Sequence, residues 1–306
     1  MKIARVETAA GPRAALVESD VLRLLPAEAD VRGLLEQPAR AAPTGEALPL
    51  EGARLLPPLE PPSVRDFVTF EQHVEGMAML HDPPREVHPQ WYEAPTFYFS
   101  NPHSLVGASD DVPIPPGCRV FDYELEIAAV VGLDSRDLSP AEAGAHIAGY
   151  AVLNDWSARD LQFAEMQVGL GPAKGKDSAI TLGPWIVTPD ELEPFRRDGR
   201  LDLRMEVSVN GEPRGADTLA NMAWSFEELL AYASRGAWVR TGDLLGSGTC
   251  GGGCLGELWG RAGRREPPPL APGDVVTMTV EGLGTISNQV VPGIEPVPVP
   301  RARKRG

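Results

Sequence analysis

Positive charge, cysteine and long apolar runs are all scarce in this chain of 306 residues. Lys and Arg number 28 against 43 Asp and Glu, which leaves a formal net charge of -15. A surface of that sign repels phosphate backbones, so nucleic acid is not an expected partner. It does not argue against a small anionic substrate, because one bound cation reverses the local field. The three cysteines, Cys118, Cys250 and Cys254, are too few for a disulfide scaffold. No apolar run approaches the roughly 20 residues that span a bilayer. The opening Met1-Lys2-Ile3-Ala4-Arg5 lacks the apolar stretch of a signal peptide. The expectation is a cytoplasmic protein with no membrane partner.

Gly and Pro, 32 and 31 residues, are the abundant types. They separate short alternating apolar runs, the pattern of a many-stranded β protein. Residues 1–60 read as a small N-terminal module, with strands at Ile3–Val6 and Ala14–Val17 and a helical stretch at Asp30–Leu35. The Pro-rich run Leu56–Pro62 marks a boundary, and residues 61–306 form the main domain. The spacing of Phe67, Phe70, Val74 and Met77 predicts a helix over 67–80. Tyr123–Val131 and Gly149–Leu153 read as strands, Pro140–Ile147 as a short helix opened by Ser139, and Ser157–Gln167 as another helix. Leu201–Asn210 alternates and turns at Asn210-Gly211, a hairpin signal. Trp224–Ser234 is an amphipathic helix and Val275–Val280 a late strand. There is no regular βαβ alternation, so the predicted class is α+β, mainly β.

Three polar clusters stand out. In Tyr123-Glu124-Leu125-Glu126 the two glutamates lie two apart on a strand, so both point the same way. At about 4 Å and an effective dielectric near 20, such a pair costs roughly 4 kcal/mol. A cation or a shared proton offsets that cost; a solvent-exposed acidic edge is the plain alternative. In Asn154-Asp155-Trp156-Ser157-Ala158-Arg159-Asp160-Leu161-Gln162 an apolar strand ends in a polar cluster, where Asp155 taken by itself reads first as a helix N-cap. The third, Asp66-Phe67-Val68-Thr69-Phe70-Glu71-Gln72-His73, brings a carboxylate near one of five histidines. Imidazole suits general-base work, though a histidine in an aromatic stretch is often structural.

From about Ser63 to about Gly293 the chain resembles the fumarylacetoacetate hydrolase family. The resemblance rests on Asp122–Glu126, on Asn154–Gln162, and on Gly242-Asp243-Leu244-Leu245-Gly246-Ser247-Gly248-Thr249. It implies a mixed β-roll with a distorted barrel-like core, usually a homodimer. It assigns Glu124, Glu126, Asp155 and the early Asp66 as metal ligands. An oxygen-only set of that kind suits a divalent cation, Mg²⁺ first, with Ca²⁺ or Mn²⁺ as alternatives. His73 and Glu257 fall on the pair that activates the attacking water, and Lys176 on a group that steadies the developing anion. Arg159, Gln162 and Thr249 fall on substrate contacts. Tyrosines that grip substrate in fumarylacetoacetase-type members appear here as Val68 and Met166. An arginine of those members falls near Asp82, with Arg85 close by.

The expected function is metal-dependent hydrolysis of a C–C bond in a small β-diketo or oxo-acid. Decarboxylation, isomerisation or dehydration of a 2-oxo acid through an enolate is the alternative on the same site. A non-catalytic metal or small-molecule binder needs only the carboxylates. Cys250-Gly251-Gly252-Gly253-Cys254 lacks a second pair for zinc at useful spacing and reads as a flexible glycine loop. Gly171–Asp177 is no phosphate-binding loop. His81–Trp91 reads as a lid over the site, with a plain surface loop as the alternative. No Gly-x-Ser-x-Gly elbow is present.

Overall fold

Alternation and turn chemistry produce a mainly β molecule of class α+β in the computed structural model, which describes residues 1–305. The elements that matter here are β1 (Lys2–Val6), β2 (Arg13–Glu18), β3 (Val21–Leu24), α1 (Val31–Glu36), β4 (Ala47–Pro49), β5 (Val64–Phe67), α2 (Glu71–Ala78) and β6 (Phe97–Ser100). There follow β7 (Leu125–Val131), β8 (Ile147–Asp155), α3 (Arg159–Glu165), β9 (Ile180–Val187), β10 (Arg204–Val209) and β11 (Glu212–Thr218). The chain closes with α4 (Phe226–Ser234), β12 (Leu244–Gly246), α5 (Leu255–Ala262), β13 (Val275–Val280) and β14 (Gly284–Val291).

The large sheet runs β4-β3-β2-β1-β9-β8-β7-β12-β5-β6 and stays open, with β4 and β6 at its edges. Neighbours along it are antiparallel except β12 and β5. The strands of residues 1–60 belong to this same sheet, because β1 pairs with β9. A second sheet runs β11-β10-β13-β14 and ends on Val112–Pro113.

Strand β7 explains the arrangement. Its residues are buried on both faces. Leu125, Ile127, Ala129 and Val131 face a core shared with the second sheet and α4; Ala128 and Val130 face a core shared with α1. A strand covered on both sides reads as a continuous apolar run, as Ile127–Val131 does. Strong local signals give the hairpin and α4. Asn210 and Gly211 both take positive φ, at 56° and 79°, which matches the right-handed twist of β10 and β11. Ser225 and Glu228 form a reciprocal capping box at the start of α4.

The helix predicted over 67–80 is shorter than its periodicity implied. Phe67 belongs to β5, and the helix starts at Glu71. The aromatic spacing is a coincidence of two elements: Val64–Phe67 is held as strand by pairing with both β12 and β6. Among the described residues, no helix is long and apolar enough to cross a membrane.

Candidate active site

Sheet register gathers the carboxylates. Leu125 pairs with Asn154, Ala128 with Gly246, Gly246 with Asp66, and Asp66 with Tyr98. Strands β8, β7, β5 and β6, with β12 between β7 and β5, thus bring Asp155, Glu126, Asp66 and Tyr98, and Glu124 just before β7, to one end of the sheet. The Asn154 side chain accepts a hydrogen bond from Glu124 N at 2.9 Å and fixes the entry to β7. Position 246 must lack a side chain. A Cβ there lies 2.5 Å from Asp66 Oδ1 and 3.0 Å from Glu126 Oε2, so only glycine lets the two carboxylates meet.

Asp66, Glu124, Glu126 and Asp155 each place one carboxylate oxygen within 4.8 Å of the others. They are 4%, 4%, 0% and 1% exposed, which removes the reading of an acidic surface edge. Asp155 caps no helix; α3 begins after Ala158. The cluster holds too little positive charge for four carboxylates. The Lys176 ammonium touches Glu124 Oε2 and lies 2.6 Å from Asp155 Oδ2. Arg159 donates to Glu124 Oε1 at 2.7 Å and to Asp122 Oδ2 at 2.9 Å. Tyr98 donates its hydroxyl hydrogen between Asp66 Oδ2, at 2.6 Å, and Asp155 Oδ2.

The electrostatics divide the four acids. Burial favours the neutral form of Glu124, but the adjacent Arg159 and Lys176 outweigh it and hold the carboxyl well below the usual range. Glu126 has no such cation. Burial, then Asp66 and Asp155, push it well up. Asp155 is pushed up to about 8, chiefly by burial and by Asp66 and Glu124, with Lys176 opposing. Burial and then the flanking Asp155 and Asp66 raise the Tyr98 hydroxyl as well. Asp66 Oδ1 and Asp155 Oδ1 are buried without a hydrogen-bond partner. Two orphaned buried carboxylate oxygens, in an oxygen-only group of four acids, fit a hard divalent cation.

The histidine and its partner come from helices. His73, on α2, lies with Nδ1 3.7 Å from Glu257 Oε2, and with Nε2 4.0 Å from Glu124 Oε1. Glu257, on α5, is also held by Gly252 N at 2.6 Å and Arg261 Nε at 3.0 Å. Burial opposes its charge, yet the adjacent His73 and the bonds from Gly252 and Arg261 hold the carboxyl below its ordinary value. Helices α2 and α5 approach closely because both contact points are glycine. A Cβ on Gly76 sits 2.3 Å from Glu257 Cγ, and one on Gly260 sits 2.0 Å from the Gly76 carbonyl oxygen.

One cavity of about 400 Å³ joins these parts. Asp66, Glu124, Glu126, His73, Lys176 and Tyr98 line its deep side, with Arg159, Gln162 and Thr249 beside them. Thr249 Oγ1 lies 3.5 Å from Glu126 Oε1. Val68, Met166 and Arg85 also line it, as do His81 and Glu86–His88 of the segment read as a lid. Trp91 Nε1 pins that segment by donating to Val68 O at 2.8 Å.

Every residue assigned to the site from the sequence therefore lies on or beside this cavity, with Asp155 and Glu257 just behind its wall. Two contributors were missed. Tyr98 sits in an edge strand whose aromatic alternation, Phe97-Tyr98-Phe99, gave no polar signal. Asp122 was legible, since it opens the Asp122-Tyr123-Glu124 motif. It is fully buried and accepts from Leu255 N and Gly256 N at 2.8 and 2.9 Å, as well as from Arg159. It thereby ties the first turn of α5 to the strand that carries the glutamates. The Cys250–Cys254 segment, read as a flexible glycine loop, is a buried turn leading into α5.

Known proteins share both the motifs and the architecture. The family description Fumarylacetoacetate (FAA) hydrolase C-terminal matches residues 63–291, and Rv2993c-like, N-terminal matches residues 1–58. Fumarylacetoacetase of Arabidopsis thaliana is 32% identical over 243 residues, covering 63% of this chain and 57% of that protein. Oxaloacetate tautomerase YisK of Bacillus subtilis is 31% identical over 201 residues, covering 65% and 62%. The chain thus spans only a little over half the length of these relatives. A solved fumarylacetoacetate hydrolase from psychrophilic Exiguobacterium antarcticum superposes with a TM-score of 0.76 at 27% identity, over 95% of this chain and 99% of that one. The match over residues 63–291 contains the carboxylate strands, both site helices and Lys176, and the chain belongs to the fumarylacetoacetate hydrolase family.

Proposed function

We propose that this chain is a divalent-metal-dependent hydrolase that cleaves a C–C bond in a small β-diketo or 2-oxo acid. One observation carries the reading: a buried carboxylate cluster and His73, backed by Glu257, face the same cavity. Asp66, Glu124, Glu126 and Asp155 would hold the ion, with Mg²⁺ the first choice and Ca²⁺ or Mn²⁺ compatible with the same oxygens. When bound, such an ion supplies Lewis acidity toward the substrate's oxo oxygens.

The protein's own groups do the rest. His73 takes a proton from water as the water oxygen adds to the substrate carbonyl carbon. Glu257, facing Nδ1, steadies the imidazolium that results. The C–C bond then breaks and its electron pair stays on the departing carbon as an enolate, which Lys176 neutralises. The proton taken by His73 returns to that carbon, so one water is consumed and two acids leave. Gln162, Thr249 and Arg159 orient the substrate's carboxylate. The test is a panel of acylpyruvates, oxaloacetate and sugar-derived oxo-acids, with products identified by NMR. No turnover of any of them in the presence of Mg²⁺, Mn²⁺ or Ca²⁺ sinks the proposal.

A second reading keeps the cluster and drops the water attack, giving tautomerisation, decarboxylation or dehydration of a 2-oxo acid. The similarity to an oxaloacetate tautomerase favours it. Product analysis separates the two, since only hydrolysis incorporates solvent oxygen into a new carboxylate. The reading also includes a cytoplasmic homodimer, with the oligomer checked by sedimentation.

A further inference from the structure

Cys254 plays no part in the chemistry above, yet it stands against it. It is fully buried and caps the start of α5, with Sγ accepting from Glu257 N at 3.3 Å. The same sulfur lies 3.7 Å from His73 Nδ1. Cys254, His73 and Glu124 each offer a ligand atom within 4.8 Å of the other two, and all three are buried. This set differs in kind from the neighbouring carboxylates. Those four offer oxygen alone, which suits hard cations; thiolate, imidazole and carboxylate together suit zinc and similar soft or borderline ions.

We propose that Cys254, His73 and Glu124 form a second metal site, selective for a thiophilic divalent cation of the Zn²⁺ class. Glu124 belongs to both ligand sets, so the two sites are adjacent and share a carboxylate. On binding, the Cys254 thiol releases its proton to solvent as the sulfur–metal bond forms, and no electron changes hands. The fourth position is left to water or substrate. The ion also takes one lone pair of the His73 ring. If it takes Nε2, the base is covered; if it takes Nδ1, the remaining proton moves to Nε2 and the base is again lost. Zinc therefore inhibits the enzyme, a consequence that rests on the role proposed for His73. The occupancy of the site does not rest on that role. The three ligands stand at positions 73, 124 and 254, so no sequence spacing announces them.

The experiment is a titration of the metal-stripped full chain with Co²⁺, a spectroscopic substitute for Zn²⁺, read by the thiolate-to-cobalt absorption in the near ultraviolet. The expected result is a band that saturates at one ion per chain and is displaced by Zn²⁺. Cys254→Ser abolishes it and Cys250→Ser retains it. His73→Gln weakens Co²⁺ binding at least 10–100-fold, the scale that even outer partners of a metal site carry. That variant keeps the test available should Cys254→Ser not fold. Absence of the band in the unaltered chain overturns the proposal, and so does its persistence in Cys254→Ser or undiminished binding in His73→Gln. If the band is absent while Mg²⁺ still stabilises the protein, only this site is refuted. If the band forms while Mg²⁺ has no effect, the carboxylate cluster is the part that fails.

Discussion

Glu126→Gln is the sharpest perturbation of the carboxylate cluster, because it removes an ionisable oxygen pair and almost no volume. Four carboxylates lie within 4.8 Å of one another, and only Lys176 and Arg159 oppose them. At that distance and an effective dielectric near 20, each like-charged pair costs roughly 3–4 kcal/mol. In the metal-free protein burial and the neighbouring Asp66 and Asp155 favour the neutral form of Glu126, and burial with Asp66 and Glu124 pushes Asp155 up to about 8. A carboxyl raised in the folded state contributes stability that is complete below its unfolded value and lost as pH rises through the folded one. For Asp155 that window runs from 3.8 to about 8. The metal-free protein therefore loses thermal stability between about pH 5.5 and 8.5, and a divalent cation restores more of it at the upper end. At 100 times its Kd the cation contributes about 2.7 kcal/mol. With an unfolding entropy of about 2.1 cal/mol/K per residue, a chain of this length shifts by roughly 4 °C for that energy. Differential scanning fluorimetry with EDTA or with Mg²⁺, at both pH values, measures it. Glu126→Gln should match or exceed the unaltered Tm in EDTA at pH 8.5, and its Mg²⁺-dependent shift should fall below about 1 °C. A full shift in Glu126→Gln refutes the reasoning. So does the absence of any shift in the unaltered chain with Mg²⁺, Mn²⁺ and Ca²⁺.

His73→Ala should keep the Mg²⁺-dependent Tm shift and lose roughly 10²–10⁴-fold in kcat on whichever substrate is found, the range of general-base catalysis; unchanged turnover removes His73 from the chemistry. Asp122→Ala strips a buried partner from Arg159 and from two α5 amides, so a loss of about 3–5 kcal/mol is expected, visible as a drop of several degrees in Tm. A change under one degree shows that the link is decorative. Gly76→Ala forces a methyl against Glu257 and should cost about 1–3 kcal/mol while lowering kcat more than KM. Equal effects on both constants point to a general loosening instead.

Much of this site was readable because its carboxylates sit in dense local patterns. Glu124 and Glu126 two apart on a strand, and Asp155 at the end of an apolar strand, carry their orientation in the sequence. Their convergence does not, since it depends on β12 lying between β7 and β5 in a parallel-antiparallel arrangement that no local pattern encodes. The same limit explains Tyr98, which reaches the cluster by pairing with Asp66 across an edge. It explains the truncated start of α2, where two strand pairings override a helical spacing. Hairpin β10–β11 and helix α4 were readable because a positive-φ turn and a capping box are short-range devices. Cys254 shows the opposite case: its relation to His73 exists only once α2 and α5 are in contact.

That contact has a consequence for how the molecule tolerates change. The carboxylates ride on paired strands, whose spacing is set by a ladder of backbone hydrogen bonds. His73 and Glu257 ride on two helices that touch through Gly76 and Gly260, with no such ladder between them. Swelling of that seam by a single methyl would spread His73 from Glu257 while the carboxylate end stays put. Random substitution should therefore yield variants that still take up cation yet turn nothing over, with their lesions mapping to the faces where α2 meets α5.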